Sequence, residues 1–167
     1  MTAQIKEIMI IDNKKYSMHC TPLDSYLKLL PKELKFNYGT TACWRGYIGT
    51  WYLENDQLYL INLKGTKYNT ESKILGEVGL DYLFPEQEKV FANWYTGVLS
   101  IPNGDILKNW KDDYLSCHEY VLCLKFEKGI LIDFKLEDAM EKMVNDIQIK
   151  PSVRSLGFWK RMLNWFI

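Results

Sequence analysis

The pattern of apolar and polar residues is most informative in the first half of the chain. Nearly every residue from 44 to 53 is aromatic, β-branched or Gly, and residues 58–63 form a second apolar run. Such residues favour β-strands, and the polar tetrad at 54–57 favours a turn. Both faces of the first arm carry large side chains, so the pattern predicts a β-hairpin in the middle of a sheet. Gly46 and Gly49 interrupt this arm, where a strand Gly marks a bulge, a bend or a close approach.

Two further hairpins are predicted. Residues 6–12 and 15–20 are strand-like and flank an Asn-led turn at Asn13-Lys14. Residues 119–126 and 130–135 flank a short polar turn that ends in Gly, and alternate apolar residues of the first arm share one face. The pattern therefore predicts a series of antiparallel hairpins.

The segments between these hairpins have weaker patterns. A strand is predicted at about 94–101, followed by a turn at residues 102–105, because Pro fixes φ and Asn-Gly accepts positive φ. Residues 31–41 show no clear period and are predicted to form a loop. Residues 64–78 are polar and punctuated by Gly, which predicts a long connection.

Helical periodicity occurs near both ends of the chain. Apolar residues at helical spacing in 23–30 predict one short helix that ends before Pro31. Residues 136–149 carry apolar side chains every three or four positions, which predicts an amphipathic helix. Residues 155–167 form a second helix candidate whose apolar residues cover most of its circumference.

The predicted fold class is α+β. Antiparallel β-hairpins form one mainly antiparallel sheet or open barrel, with a short N-terminal helix and one or two C-terminal helices. Residues 1–150 are assigned to a single domain and residues 151–167 to an amphipathic helical tail. At 167 residues, a single domain can bury a sizeable core without a disulfide or a metal.

Composition narrows the classes of function. The chain has 21 basic and 21 acidic residues, so it lacks the net positive field of a duplex-DNA binder. No run approaches the roughly 18 apolar residues of a membrane span, and the first residues do not resemble a secretion signal. A cytoplasmic protein without a membrane span is expected.

Four segments together carry a resemblance to known proteins. They are Arg45-Gly-Tyr-Ile-Gly-Thr-Trp51, Leu58-Tyr-Leu60, Phe84-Pro85 and the run from Val90 to Pro102. With these segments the chain resembles a family of uncharacterised bacterial and phage-encoded proteins over roughly residues 5–133. The resemblance implies a single domain and a cytosolic setting. Because that family has no assigned activity, the resemblance identifies no catalytic residue in this chain.

An aromatic and cationic cluster is the strongest candidate binding site. Stacking side chains beside a guanidinium can hold a nucleotide or another small anion, with Arg45 as the anchor. The alternative is that these aromatic residues belong to the core, which is their commoner role in strands. The candidate ligand- or partner-binding residues are Trp44, Arg45, Tyr47, Trp51, Trp94 and Tyr95.

No catalytic, metal or cofactor site is predicted. Cys117 and His118 could serve a hydrolase as nucleophile and base, but adjacent residues of a strand point to opposite faces. His19 and Cys20 do not show the spacing of a zinc site. A hydrolase using Cys117 or His118 therefore stands only as a third alternative.

The leading functional hypothesis is a non-catalytic interaction protein, such as a bacterial or phage inhibitor or immunity-type factor that binds a protein partner. The second is a protein that binds or sequesters a nucleotide or signalling molecule. The tail is a further docking candidate through Trp159, Lys160, Arg161 and Trp165. Three fates are considered for it: packing on its own sheet, docking on a partner or a second copy, and lying on a membrane surface.

Overall fold

A computed structural model describes residues 3–18, 20–69, 74–106 and 118–138. The described strands all belong to one mixed sheet. They are β1 (Glu7–Ile11), β2 (Lys14–Met18), β3 (Tyr47–Glu54), β4 (Gln57–Asn69), β5 (Ile74–Val78), β6 (Val90–Phe91), β7 (Gly97–Ile106), β8 (His118–Glu127) and β9 (Ile130–Asp138). The described helical elements are α1 (Leu23–Leu27) and two 3₁₀ turns, Lys32–Leu34 and Leu80–Tyr82.

The three predicted hairpins are confirmed as β1–β2, β3–β4 and β8–β9. Each is closed by two residues with positive φ, the backbone of a type I′ turn, whose twist matches that of the flanking strands. The turn pairs are Asp12 and Asn13, Asn55 and Asp56, and Lys128 and Gly129. The first turn thus lies one residue earlier than predicted.

The strand order is β2-β1-β3-β4-β9-β8-β7, which confirms that the β3–β4 hairpin lies inside the sheet. β1 runs parallel to β3, with Ile8 opposite Thr50 and Ile10 opposite Tyr52. β5 and β6 pair with successive parts of the long strand β4. The sheet is therefore mixed.

The α+β class is wrong for the described part of the chain, which is almost entirely β. The predicted connection at 64–78 is instead the end of β4 paired with β5, from Gly65 opposite Val78 to Asn69 opposite Ile74. Its polar residues were misleading because a strand pair can be exposed on both faces. α1 ends at Leu27, three residues before the predicted end.

The predicted helix 136–149 is wrong at its start. Residues Leu136 to Asp138 are the last residues of β9, where Leu136 pairs with Leu122 of β8. Three residues are too few for helical and strand spacing to be told apart, and cross-strand pairing decides their conformation here. Residues 139–149, the tail 151–167 and the proposed boundary at residue 150 lie outside the described residues.

The predicted turn at residues 102–105 is wrong as well. These residues continue β7, and the register with β8 shifts between Asn103 and Ile106. Gly104 has a φ of +82° at this irregularity. A Gly with positive φ serves a β-bulge as readily as a turn, so the same local chemistry gave the wrong element.

The core lies inside the curled sheet. The two outer strands of the order, β2 and β7, approach each other. Just beyond β2, Cys20 Sγ accepts a hydrogen bond from the backbone N–H of Ser100 in β7, at 3.3 Å. The largest fully buried side chains include Trp51, Tyr47 and Phe126. The central hairpin therefore supplies much of the core.

Candidate functional site

The structure divides the six predicted site residues between the surface and the core. Trp44 is 60% exposed, and Tyr47, Trp51 and Tyr95 are buried. Arg45 comes together with Tyr47 and Trp51, whereas Tyr95 packs on Phe126 with ring centroids 6.1 Å apart. The predicted cluster therefore does not form one open pocket among the described residues.

Trp94 packs in a separate aromatic group. Its ring stacks on Phe84 with centroids 5.6 Å apart, and it contacts Tyr26 at 4.8 Å. Its Nε1–H donates to the carbonyl of Pro22 at 3.3 Å. Trp94 thus holds the start of α1 against the loop that precedes β6.

A buried carboxylate, Glu7, is the partner of Arg45 and Trp51. Glu7 is 1% exposed, and Trp51 Nε1–H donates to its Oε2 at 2.5 Å. Arg45 Nε lies 3.4 Å from Glu7 Oε1, and the Arg45 guanidinium also donates to the carbonyl of Ile5 at 2.8 Å. Arg45, which was predicted to bind an anionic ligand, is therefore paired with Glu7 of its own chain.

Glu7 is absent from the predicted site residues, although the pattern of its strand carries a signal. Met9 is fully buried, and residues two apart in a strand share a face. Glu7 therefore had to face the core once Met9 did. A lone acid at an inward position needs donors, and the parallel pairing of β1 with β3 brings Trp51 opposite Met9 and close to Glu7.

Gly49 makes room for this carboxylate. A Cβ at position 49 would lie 2.8 Å from Glu7 Oε2 and 2.7 Å from Trp51 Nε1. The backbone N–H of Gly49 also hydrogen-bonds to Glu7. Of the bulge, bend and close approach considered for Gly49, the structure shows a close approach.

Gly49→Ala is expected to lower the free energy of unfolding by about 2 kcal/mol, since the added methyl group separates a buried carboxyl from its donor. Urea denaturation followed by circular dichroism measures the change. The matched control is Gly76→Ala in β5, where the nearest atom to an added Cβ is 3.9 Å away. Equal stabilities of the two variants would contradict this account of Gly49.

A second carboxylate joins the cluster to α1. Tyr47 Oη–H donates to Asp24 Oδ1 at 2.6 Å, and Thr21 Oγ1–H donates to Asp24 Oδ2 at 2.6 Å. The Arg45 guanidinium lies 5.5 Å from the centroid of the Tyr47 ring. These contacts attach α1 to β3.

Burial raises the pKa of Glu7 to about 7. The hydrogen bond from Trp51, the charge of Arg45 and the N–H of Gly49 oppose the rise, and the negative charge of Asp24 adds to it. Burial also raises the pKa of Tyr47 above its ordinary value. The cluster thus holds a carboxyl that titrates near neutral pH, a property shared by catalytic acids and by buried structural groups.

The space beside Glu7 is too small for an organic substrate. The cavity has a volume of about 50 Å³, and Gln4, Lys6 and Thr21 line it with Glu7 and Arg45. Ligand pockets usually measure roughly 300–1,000 Å³. The geometry therefore favours a structural role for the Glu7 cluster.

A larger cavity, which we call the apolar groove, lies between the β8–β9 hairpin and the ends of β1 and β3. Its volume is about 420 Å³. Its apolar walls are formed by Ile11, Leu53, Leu122, Leu124, Leu131, Phe134 and Leu136, and Asp12, Asn55 and Asp56 form its polar rim. Phe134 is 44% exposed, so a large apolar surface is accessible.

The groove exists because β9 leaves β4 early. Their pairing comprises Gln57 opposite Ile130 and is flanked by the hydrogen bond from Leu131 N–H to the Asp56 carbonyl at 2.7 Å. Beyond this point β9 continues to Asp138 beside β8. The β3–β4 hairpin ends at its turn between Glu54 and Gln57, so it does not follow β9 any further. The inward side chains of the β8–β9 hairpin therefore extend past the strand that would have covered them.

The rim of the groove is acidic. Asp12 and Asp56 occupy positive-φ turn positions, and both side chains are exposed. Among the described residues that line the groove, none is cationic. An apolar group with a nearby positive charge fits this arrangement, and a phosphate does not.

Metal and catalytic chemistry find no further support in the part of the chain that the structure describes. That part contains no group of three or more His, Cys, Asp or Glu side chains placed to hold a metal ion. His118 Nδ1 lies 3.2 Å from the carbonyl oxygen of Gly104. Cys117 lies outside the described residues, so the hydrolase hypothesis stays a prediction. Across the described ranges, no helix has the length and apolar character to span a membrane.

Comparison with known proteins adds no functional assignment. No protein-family model matches the chain, and the searches of curated proteins and of solved structures gave no match. The resemblance to bacterial and phage-encoded proteins stays a prediction, and the groove and the Glu7 cluster rest on their own geometry.

Proposed function

We propose that this chain is a non-catalytic interaction protein whose apolar groove binds a segment of a partner protein. The segment presents two or three apolar side chains with a Lys or Arg beside them. The observation that carries the proposal is the groove itself, about 420 Å³ of apolar surface bordered by Asp12 and Asp56. An inhibitor or immunity-type factor would act in this way, by occupying its partner.

The apolar walls supply the free energy of binding. Full burial of a Leu or Phe side chain contributes roughly 1.5–3 kcal/mol. Two or three such side chains therefore offset part of the entropic cost of association. Phe134 is a suitable anchor because it is aromatic, half exposed and part of the groove wall. Aromatic side chains in such positions dominate many interfaces.

The acidic rim supplies selectivity. Asp12 and Asp56 attract a cationic residue that flanks the apolar side chains and repel an acidic one. The same charges disfavour nucleotides. Arg45, the residue that the sequence suggested as an anchor for an anion, is already bound to Glu7. The geometry thus favours a protein segment over the nucleotide alternative.

Selection from a displayed library of random peptides tests the proposal on the full chain. The enriched peptides are expected to combine apolar residues with Lys or Arg, and their binding is expected to weaken as salt is raised. Phe134→Glu should abolish the binding. The matched control is Ile132→Glu, because Ile132 lies in the same strand, is 50% exposed and does not line the groove.

Two outcomes would contradict the proposed function. One is a selection that enriches no common pattern. The other is a set of peptides that bind Phe134→Glu as tightly as the unchanged chain.

A further inference from the structure

We propose that the apolar groove is occupied in the isolated protein by the chain's own C-terminal segment, residues 156–167. A partner must then displace this segment to bind. The displacement rests on the proposed function, whereas the docking of the segment does not.

The described part of β9 ends beside the groove. β9 ends at Asp138, and Leu136, two residues earlier, belongs to the groove wall. Residues 139–155 separate this point from the proposed segment. Seventeen residues reach about 25 Å even if they are helical and over 50 Å if they are extended, which is enough to return to a neighbouring surface.

The segment has the apolar residues that the groove requires. Leu156, Trp159, Leu163 and Phe166 are spaced three or four positions apart. Four such residues can occupy one side of a short segment, as in peptides that bind apolar grooves. The groove walls offer Leu, Ile and Phe side chains in return.

The charges of the two sides are complementary. Residues 151–167 contain Arg154, Lys160 and Arg161 and no Asp or Glu. The groove rim contains Asp12 and Asp56. Two of the cations directly follow Trp159, so an apolar anchor and positive charges arrive together.

Charge distinguishes the groove from another exposed apolar surface. A shallow depression of about 640 Å³ is lined by Asn37, Tyr38, Tyr68, Ile74 and Leu75. No carboxylate is among its described lining residues. It offers apolar surface without an acidic partner for Lys160 and Arg161, so the groove is the better match.

Hydrogen exchange measured by mass spectrometry on the full chain tests the docking. Amides of residues 156–167 are expected to exchange at least about tenfold more slowly than in the Phe134→Glu variant. Ile132→Glu, the matched control, should leave their exchange unchanged. Exchange in the central β3–β4 hairpin should be the same in all three proteins, which shows that each is folded.

The acidic rim is tested with Asp12→Asn and Asp56→Asn together. Asn tolerates positive φ as well as Asp does, so the turns are kept while the charges are removed. Exchange of residues 156–167 should become several-fold faster and lose its dependence on salt. Unchanged protection in this variant and in Phe134→Glu would overturn the inference.

Competition is tested with Trp159→Glu in the full chain. If the segment occupies the groove in most molecules, freeing the groove should tighten the binding of a selected peptide about tenfold.

Protection of the segment that disappears on dilution would identify a second copy as the occupant and overturn docking within one chain. A failed peptide selection with intact protection would reject the proposed function and leave the docking in place. Tight peptide binding without slowed exchange in residues 156–167 would support the proposed function and reject the docking of the segment.

Discussion

The unfolding free energy of this protein is expected to fall by about 3 kcal/mol between pH 4.5 and pH 8 through Glu7 alone, and the Glu7→Gln variant should lack that fall. Burial raises the pKa of Glu7 from 4.5 to about 7. Between these values the folded chain keeps a proton that the unfolded chain releases. Stability from this group is therefore fully present below pH 4.5 and is lost as pH rises through 7.

Urea denaturation at half-unit steps of pH measures the effect. The informative quantity is the difference between the unchanged protein and Glu7→Gln at each pH, because that difference isolates the contribution of Glu7. Gln accepts a hydrogen bond from Trp51 and is uncharged, like the protonated Glu7 that the folded chain holds at low pH. The two proteins should therefore be closest in stability at low pH, and the unchanged protein should lose stability relative to Glu7→Gln as pH rises through 7. A difference that does not change with pH would refute the raised pKa.

Gly46→Ala is expected to destabilise the protein by about 3 kcal/mol, because two costs act at one position. Gly46 has a φ of +74°, and a Cβ there would lie 2.0 Å from the carbonyl oxygen of Asn37. That oxygen belongs to the backbone, and its segment is held because Asn37 N–H donates to the Thr66 carbonyl at 2.8 Å. Thr66 N–H in turn donates to the Gly46 carbonyl at 2.8 Å, so moving either segment would disturb these hydrogen bonds.

Thermal unfolding should show a melting temperature roughly 6–12 °C lower for Gly46→Ala. Gly76→Ala again serves as the control, since an added Cβ meets nothing closer than 3.9 Å. Gly76 lies in β5, and its expected change is near zero. A fall in Gly46→Ala no larger than that of the control would show that the segment around Asn37 adapts freely.

The local part of this fold could be predicted from the sequence. Asn55-Asp56 and Lys128-Gly129 are short turn sequences between two strand-like runs, and nearest neighbours in the chain decide both conformations. Gly46 and Gly49 were recognisable as special positions, but the sequence left a bulge, a bend and a close approach open for both. Gly46 proves to lie just before β3 rather than inside it. At residues 102–105 the same local logic failed, since a Gly with positive φ is common to turns and bulges.

The sites depended on contacts that local patterns do not contain. Glu7 meets Trp51 only because β1 pairs in parallel with β3, across some 40 residues of chain. The groove requires β9 to separate from β4 after Gln57. The prediction of Arg45 as an anion anchor recognised a cation beside aromatic residues, but it could not tell that the anion was Glu7 of the same chain.

The approach of β2 to β7 also bears on backbone pairing between neighbouring molecules. An exposed outer strand offers unpaired N–H and C=O groups to a neighbouring molecule. Here the two ends of the strand order shelter each other, with Ser100 N–H donating to Cys20 Sγ. β5, by contrast, pairs with β4 and exposes Ile74 and Leu75. Of β2, β5 and β7, β5 therefore has the backbone edge that is easiest for a neighbouring molecule to pair with, and the short strand and the charge of Glu77 restrain such pairing.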